Sequence, residues 1–439
     1  MQDFKDLGDK LNQEIDVSEM ISNLNADQRR IFDRVINAVK ISPDNEQFKQ
    51  LLLYVSGEGG TAPTGIAAFN IDGLTNHRQL QLPVEHGDQS PKYTLLSDHV
   101  LKVLRADLKD VSLIIIDEIS MISNLTFMYI HLRLCQIFDT MDDDFFGGKH
   151  VLLFGDLLQL PPVRENFIFV PLSKAEFNKY IGSVGTTPEE WLWQKFQYDE
   201  LTINMRQQGD TAYRELLSRV RIGLLTTSDS EILEKRRISL KGQSFDERLY
   251  ELCNYLDNLP PNTVCLLPTR YLCDVLNTAM LSRIASKEIL LIAQDTLDCD
   301  NYIKRKVQKR LTDNEDDDTN TAGLLKQITI KIGAKVMIRR NIDVTLGLVN
   351  GTIATVISVV RDISTDCVEK IKLLLPSGLE YCIERVSVKF KIMEKAYVIR
   401  KQFPITLSYG ITIHKSQGLT LQNAVMDIAL DKFKSSDMD

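Results

Sequence analysis

The sequence predicts an α/β chain, with parallel strands buried on both faces for most of its length and a small all-β, barrel-like module near the end. Three observations carry this. Leu113-Ile114-Ile115-Ile116 is an apolar, mostly β-branched run closed by Asp117 and Glu118, the pattern of a strand covered on both faces of a parallel sheet. Val151-Leu152-Leu153-Phe154 repeats it and is closed by Gly155-Asp156, with Gln159 in the loop that follows. From Ile328 the period changes to alternation, Asn350-Gly351 carries a turn signal, and short runs near 356–361, 369–375, 380–390 and 396–400 continue as strands.

In open α/β sheets ligands bind beyond the carboxyl ends of the strands. Asp117 and Glu118 therefore sit where chemistry is expected. Such an Asp can hold Mg²⁺, and the adjacent Glu can orient and deprotonate a water. The alternative is a strand ending in a solvated acidic turn. Gln159 can both donate to and accept from a phosphate. Upstream, Leu51–Val55 reads as a strand feeding Gly57-Glu58-Gly59-Gly60-Thr61, the opening half of a phosphate cradle.

The 439 residues, 44% hydrophobic and 26% charged, can bury a sizeable core and are long enough for about three ordinary domains. No apolar run approaches the roughly 18 residues that a membrane span needs. The acidic, polar N-terminus matches neither a signal peptide nor an Arg-rich transit peptide, so the expected setting is intracellular and away from membranes. A net charge of −8 argues against coating nucleic acid by bulk charge, while leaving room for a local basic channel. Seven cysteines without a C-x-x-C pair read as reduced thiols rather than a zinc site or disulfide frame.

Along the chain, residues 1–20 form a polar lead-in. Positions 31, 32, 35, 36 and 39 make a helical stripe with Asn25 as N-cap and Gln28 at N3. Gln28 is then either a capping residue or a reader of an adenine edge. Residues 95–109 read as a helix, and Thr75-Asn76-His77-Arg78 as polar loop. Thr187-Pro188-Glu189-Glu190 starts a helix whose Trp191 and Trp193 pack inward in preference to stacking on bases. Leu201-Thr202-Ile203-Asn204-Met205-Arg206 reads as a short strand ending in Arg206, a residue type that can neutralise phosphate charge in a transition state. Residues 211–256 are helical, Thr263–Leu267 is a second buried strand, and Cys273–Ser282 a helix. Residues 294–325, with Glu315-Asp316-Asp317-Asp318, read as an acidic loop.

The ordered motifs Leu24-Asn25-x-x-Gln28, Gly57-x-Gly59-Gly60-Thr61, Ala62-Pro63-Thr64-Gly65-x-Ala67-Ala68, Asp117-Glu118-Ile119-Ser120-Met121, Gly155-Asp156-x-x-Gln159-Leu160-Pro161-Pro162-Val163, Met205-Arg206-Gln207, Leu348-Val349-Asn350-Gly351-Thr352 and Thr412-Ile413-His414-Lys415-Ser416-Gln417-Gly418-Leu419-Thr420 resemble one family. It is the petite-integration-frequency (PIF) type of superfamily 1 DNA helicase, and the Helitron-like variety looks closest. The resemblance runs from about Leu24 to Leu421 and implies two RecA-like P-loop domains with ATP between them, plus a barrel-like insert in the second. It places the first domain at 21–207, the second at 208–293 and 401–439, the acidic loop at 294–325 and the insert at 326–400.

The resemblance further implies an ATP- and Mg²⁺-dependent motor that moves 5′ to 3′ on single-stranded DNA, opens duplex junctions, and serves repair, recombination or telomere maintenance in nucleus or mitochondrion, as a monomer. Gln28 then reads adenine. Gly57, Gly59, Gly60 and Thr61 line the phosphates. Asp117 holds Mg²⁺, Glu118 activates water, and Gln159 and Arg206 sense the γ-phosphate. Pro63, Thr64, His77, Thr412, His414 and Lys415 face DNA, and Gln417 and Gly418 couple DNA to nucleotide.

The chain departs from the family pattern in two places. No Lys-Ser/Thr follows the glycine loop, and Thr61 runs directly into Ala62 with no crossover of the dozen or more residues that parallel strands need. The expectation is a deleted helix and strand at this point. The residues up to Asp439 also lack the family's last motif, which carries a second γ-phosphate Arg. Both losses lead us to expect reduced hydrolysis, so a silent DNA- or partner-binding relative is the alternative function.

Overall fold

A computed structural model describes residues 17–41, 43, 45–56, 76–83, 91–140, 144–162, 164–184, 191–203, 211–299, 302, 304–313, 324–340, 342–343, 346, 348–362, 364, 366–393, 396–417, 419, 421 and 423–426. The glycine loop, Ala62–Ala68 and the expected deletion lie outside these residues, as do Arg206 and Gly418. The chain divides into two compact units, one running to Arg237 and the other from Ile238 onward.

The first unit is built on a parallel sheet in the order β2-β3-β1-β4, with β1 Leu52–Ser56, β2 Leu113–Ile116, β3 His150–Gly155 and β4 Gln197–Glu200. Helix α1, Ala26–Val39, covers one face, where its Ile31 meets Leu53, Val55 and Leu152. Asn25 and Gln28 close a reciprocal capping box at its start, satisfying two otherwise orphaned N–H groups. Helix α2, Asp98–Leu108, precedes β2, and α3, Asn124–Phe138, packs Phe127, Met128 and Ile130 with Val151 and Leu153 on the opposite face. Then follow α4 Lys174–Tyr180, α5 Thr211–Arg221 and α6 Thr227–Lys235.

In the second unit, α7 Phe245–Asp257 and α8 Arg270–Ser282 pack against β5 Val264–Leu267. Strand β5 lies between β16 Gly410–Thr412 and β17 Ala424–Met426, parallel to both. Among the described residues the β-module comprises three sheets. Five strands run in the order β12-β11-β10-β9-β15: β9 Lys335–Ile338, β10 Ile353–Arg361, β11 Val368–Leu374, β12 Glu380–Ile383 and β15 Ile405–Leu407. Three run β13-β14-β7: β7 Gln294–Asp298, β13 Val386–Met393 and β14 Ala396–Gln402. Strands β6 Ile289–Ile292 and β8 Gln327–Ile330 pair with each other. Gly351, with φ +103°, takes the positive-φ position of the expected Asn-Gly turn between β9 and β10.

Several expectations need correction. The first unit ends at Arg237, not 207, because Arg219 and Arg221 of α5 pair with Asp229 of α6 and Asp156 after β3. The stretch 294–325 contains β7 and the helix α9, Lys304–Asp313. The β-module extends beyond 326–400, since β6 and β7 pair into it from one side and β15 from the other. Strand β2 is only partly buried, with Ile115 45% exposed, and among the described residues it has a strand neighbour on one side only. After Trp191 the described residues form one 3₁₀ turn, Leu192–Lys195, in place of the expected helix. The tryptophans do pack inward: Trp191 is buried and its Nε1 donates to the Ile168 carbonyl at 2.8 Å. Of the strand expected from Leu201 to Arg206, the described residues 201–203 are not strand; the strand here is β4, which ends at Glu200. His77 lies in a short helical turn, Asn76–Gln79, in place of loop.

Candidate nucleotide and DNA site

The parallel register aligns the carboxyl ends of the first sheet, with Ser56 beside both Gly155 and Glu200, and Ile116 beside Leu153. Asp117 follows β2 and is 1% exposed. Glu118 adopts the left-handed conformation, φ 46° and ψ 43°, and begins the 3₁₀ turn Ile119–Met121. A non-glycine residue in this region costs of order 1–3 kcal/mol, and such residues cluster at functional sites. The end of β3 lies against this turn. A Cβ on Gly155 (φ +141°) would approach the Ile119 nitrogen to 2.8 Å. Only glycine allows both that backbone angle and that approach.

Asp156 is 5% exposed. Its Oδ1 accepts from the Leu158 N–H at 3.0 Å and from the Arg221 guanidinium, and the Gln159 N–H donates to its carbonyl at 2.9 Å. Gln159, half-buried, is thereby carried on a closed turn one strand away from Asp117 and Glu118. Arg221 carried no functional signal in the sequence, being one of several basic residues on an amphipathic helix.

Gln28 caps α1: its Oε1 accepts from the Asn25 N–H at 3.0 Å and its N–H donates to Asn25 Oδ1 at 3.0 Å. With the oxygen engaged there, any base-reading role falls to its NH₂ group. Its neighbour Asp27 is a second functional candidate that sequence reasoning missed. The buried Asp27 carboxylate accepts from the Thr202 N–H, the Thr202 hydroxyl, the Ile203 N–H and Arg30. These bonds, the Thr202 hydroxyl first, hold its pKa down to about 2. Arg30 continues to Asp199 Oδ1 at 2.7 Å and the Glu200 carbonyl at 2.9 Å. Helix α1 is thus clamped to the end of β4, just before residues 204–207.

In the second unit, Thr412 ends β16 beside Leu267, the last residue of β5. It begins the short helix α10, Ile413–Ser416, which bears exposed His414 and half-buried Lys415. Asn277 of α8 sets the start of β16: Oδ1 accepts from the Tyr409 and Gly410 N–H groups at 2.8 and 2.9 Å, and Nδ2 donates to the Gly410 carbonyl at 3.0 Å. Gln417 is half-buried just beyond α10. His77 is exposed in the first unit. The structure therefore brings Asp117, Glu118, Asp156 and Gln159 to one sheet edge, and Thr412, His414, Lys415 and Gln417 to another.

Comparison with known proteins matches residues 59–229 to the PIF1-like helicase family and 321–359 to the 2B domain of DNA helicase Pif1. Over these two segments the chain is similar to the PIF1-like helicases. ATP-dependent DNA helicase Pif1 of Campylobacter jejuni is 27% identical over 385 residues, covering 83% of this chain and 75% of that protein. Its namesake in Danio rerio is 25% identical over 84% of this chain, which spans half of that longer protein. The crystal structure of Pif1 helicase from Candida albicans has the same fold, with a TM-score of 0.60, 22% identity and coverage of 93% and 88%. Bacteroides Pif1 in complex with ADP-AlF3 and ssDNA gives a TM-score of 0.60 at 22% identity over 92% and 86%. These likenesses establish for this chain the fold of two RecA-like domains with an all-β insert.

Proposed function

We propose that the chain is an ATP-dependent DNA helicase that couples hydrolysis to movement along single-stranded DNA, 5′ to 3′, and to opening of duplex junctions. The roles expected are DNA repair, recombination or telomere maintenance, in the nucleus or mitochondrion and as a monomer. One observation carries the reading: a buried Asp117 and a left-handed Glu118 end a parallel strand and abut the Gly155–Gln159 turn of the next, inside the segment matched to the family.

The donor set fits Mg²⁺. Carboxylate oxygens are hard ligands, and Mg²⁺ in nucleotide sites is held through one or two carboxylates together with substrate phosphates. Among the described residues no group of three or more His, Cys, Asp or Glu forms a metal cage, which suits a metal shared with ATP. Bound there, Mg²⁺ would supply charge neutralisation at the β- and γ-phosphates. In this reading Asp117 anchors the metal, and Glu118 takes the proton of the attacking water. Gln159 and Arg206 report on the γ-phosphate, and the Gln28 NH₂ contacts adenine. Gly57, Gly59, Gly60 and Thr61 offer backbone N–H groups to phosphates. Pro63, Thr64, His77, Thr412, His414 and Lys415 contact the DNA strand, and Gln417 and Gly418 pass its occupancy to the nucleotide. Such contacts track a backbone and carry little base specificity.

The test is ATP turnover by the chain with and without single-stranded DNA, beside Glu118→Gln. DNA-stimulated turnover that disappears in the variant is expected, and it would show that the glycine loop works without the usual Lys. A folded chain with no turnover above the variant would overturn the motor reading and favour a binding role.

A further inference from the structure

We infer that helix α9, Lys304–Asp313, is a second DNA contact, one that grips the phosphate backbone of the duplex arm ahead of the tracked single strand. The inference rests on the helicase reading and adds a surface to it.

The helix carries Lys304, Arg305, Lys306, Lys309 and Arg310 against a single Asp313, in a chain whose net charge is −8. It is held by its apolar side. Val307, fully buried, and Leu311 pack on Phe390, Ala396 and Val398 of the β13-β14 hairpin. At about 100° per residue, Arg305 and Lys309 fall on the side turned away from Val307 and Lys306 on its flank, and all three are exposed. Among the described residues, none of Lys304, Arg305, Lys306 and Lys309 forms an ion pair.

This charge order opposes the helix's own stability. Lys304, Arg305 and Lys306 occupy the first turn, where the macrodipole is positive and acidic residues are favoured. Arg305 and Lys309 are like charges at i and i+4, which repel on a helix surface. A row of phosphates along this face would offset both penalties, and a helix N-terminus with cations around it is a ready anion site. The helix packs on the β13-β14-β7 sheet, whereas Thr412 and His414 follow the separate β16-β5-β17 sheet. It is therefore not part of the strand-tracking set. Single-strand sites combine cations with stacking aromatics. Residues 304–313 contain no aromatic, so the face matches duplex phosphates. Tyr302, 83% exposed just before the helix, is the handle a displaced single strand would use.

The experiment measures the salt dependence of binding by the full chain to a single strand and to the same strand carrying a duplex arm. Arg305→Gln/Lys306→Gln/Lys309→Gln and Tyr302→Ala are compared with the unaltered chain after a circular-dichroism check of folding. Each phosphate contact contributes about −0.9 to the slope of log K against log salt. The triple variant is expected to flatten the slope on the duplex-bearing substrate by roughly 2–3. It should leave single-strand binding and single-strand-stimulated ATP turnover unchanged, and Tyr302→Ala should leave both slopes unchanged. Unchanged slopes in the triple variant, equal losses on both substrates, or loss in Tyr302→Ala would overturn the duplex assignment while leaving the helicase reading standing. No binding of either substrate by the unaltered chain would overturn both.

Discussion

The Asp27 carboxylate accepts both the backbone N–H and the hydroxyl of Thr202, at 2.7 and 2.8 Å, across 175 residues of sequence. This fixes the helix that presents Gln28 to the segment leading to Arg206. One residue thereby ties the start of α1 to the chain just beyond β4.

Asp27→Asn keeps the shape and removes the charge. It should raise the KM for ATP several-fold with a smaller effect on kcat, and lower the thermal midpoint at neutral pH. The pH dependence follows from the depressed pKa of about 2, against 3.8 when unperturbed. The ionised carboxylate stabilises the fold above about pH 4, and that contribution disappears as pH falls through about 2. Melting curves of both proteins from neutral to acid pH should converge in that window. A gap that stayed constant would mean that the charge on Asp27 is not what holds Thr202.

Gly155→Ala would place a methyl group 2.8 Å from the Ile119 nitrogen at a φ of +141°. We expect a destabilisation of roughly 1–3 kcal/mol in urea unfolding and a loss of turnover of tenfold or more, because the Asp117-Glu118 turn must shift to make room. Native stability and native turnover together would refute the close approach of the two strand ends.

Asn277→Ala strips the Tyr409 and Gly410 N–H groups of their acceptor in a site where Asn277 is 6% exposed. Unsatisfied buried donors cost about 1–3 kcal/mol each. Stability should fall by that order, and DNA affinity should fall more than nucleotide affinity, since Thr412 and His414 follow directly. Asn277→Asp retains the acceptor and should recover part of both losses. Equal behaviour of the two variants in binding titrations would contradict the bonding pattern.

Arg400 is 1% exposed, forms two bonds of 2.8 Å to Asp295, and donates to the Leu324 carbonyl at 3.0 Å. Asp295→Ala leaves a buried cation uncompensated and should cost about 3–5 kcal/mol. Replacing both residues, Arg400→Met with Asp295→Leu, should cost clearly less. Thermal unfolding of Arg400→Met, Asp295→Leu and the double variant measures the coupling. Additive losses would show that the pair is not a unit.

Much of the molecule was legible locally. The apolar runs at 52–55, 113–116, 151–154 and 264–267 are strands, the alternating runs after Ile328 are β-structure, and Asn25 with Gln28 caps its helix as the spacing requires. The errors share one cause. Ile114 and Ile115 read as interior because composition reports what a strand could bury, not whether a neighbour lies beside it. Residues 294–313 read as loop because their polarity hid one strand and one helix, each held by partners far along the chain. The domain boundary was misplaced by the same blindness, since Arg221 reads as a surface charge until Asp156 is seen next to it.

The amino-acid order by itself determined the strands, the caps, the turns and the chemical character of Asp117, Glu118, Gln159, Thr412 and Lys415, because these follow from steric and hydrogen-bonding preferences acting within a few residues. Only the tertiary structure decided that Asp27 holds Thr202, that Asn277 sets the start of β16 and that Gly155 must carry no side chain. Each depends on atoms meeting across long stretches of chain, where the cost of closing the loop is met by the packing of the whole unit and leaves no periodic trace in the sequence.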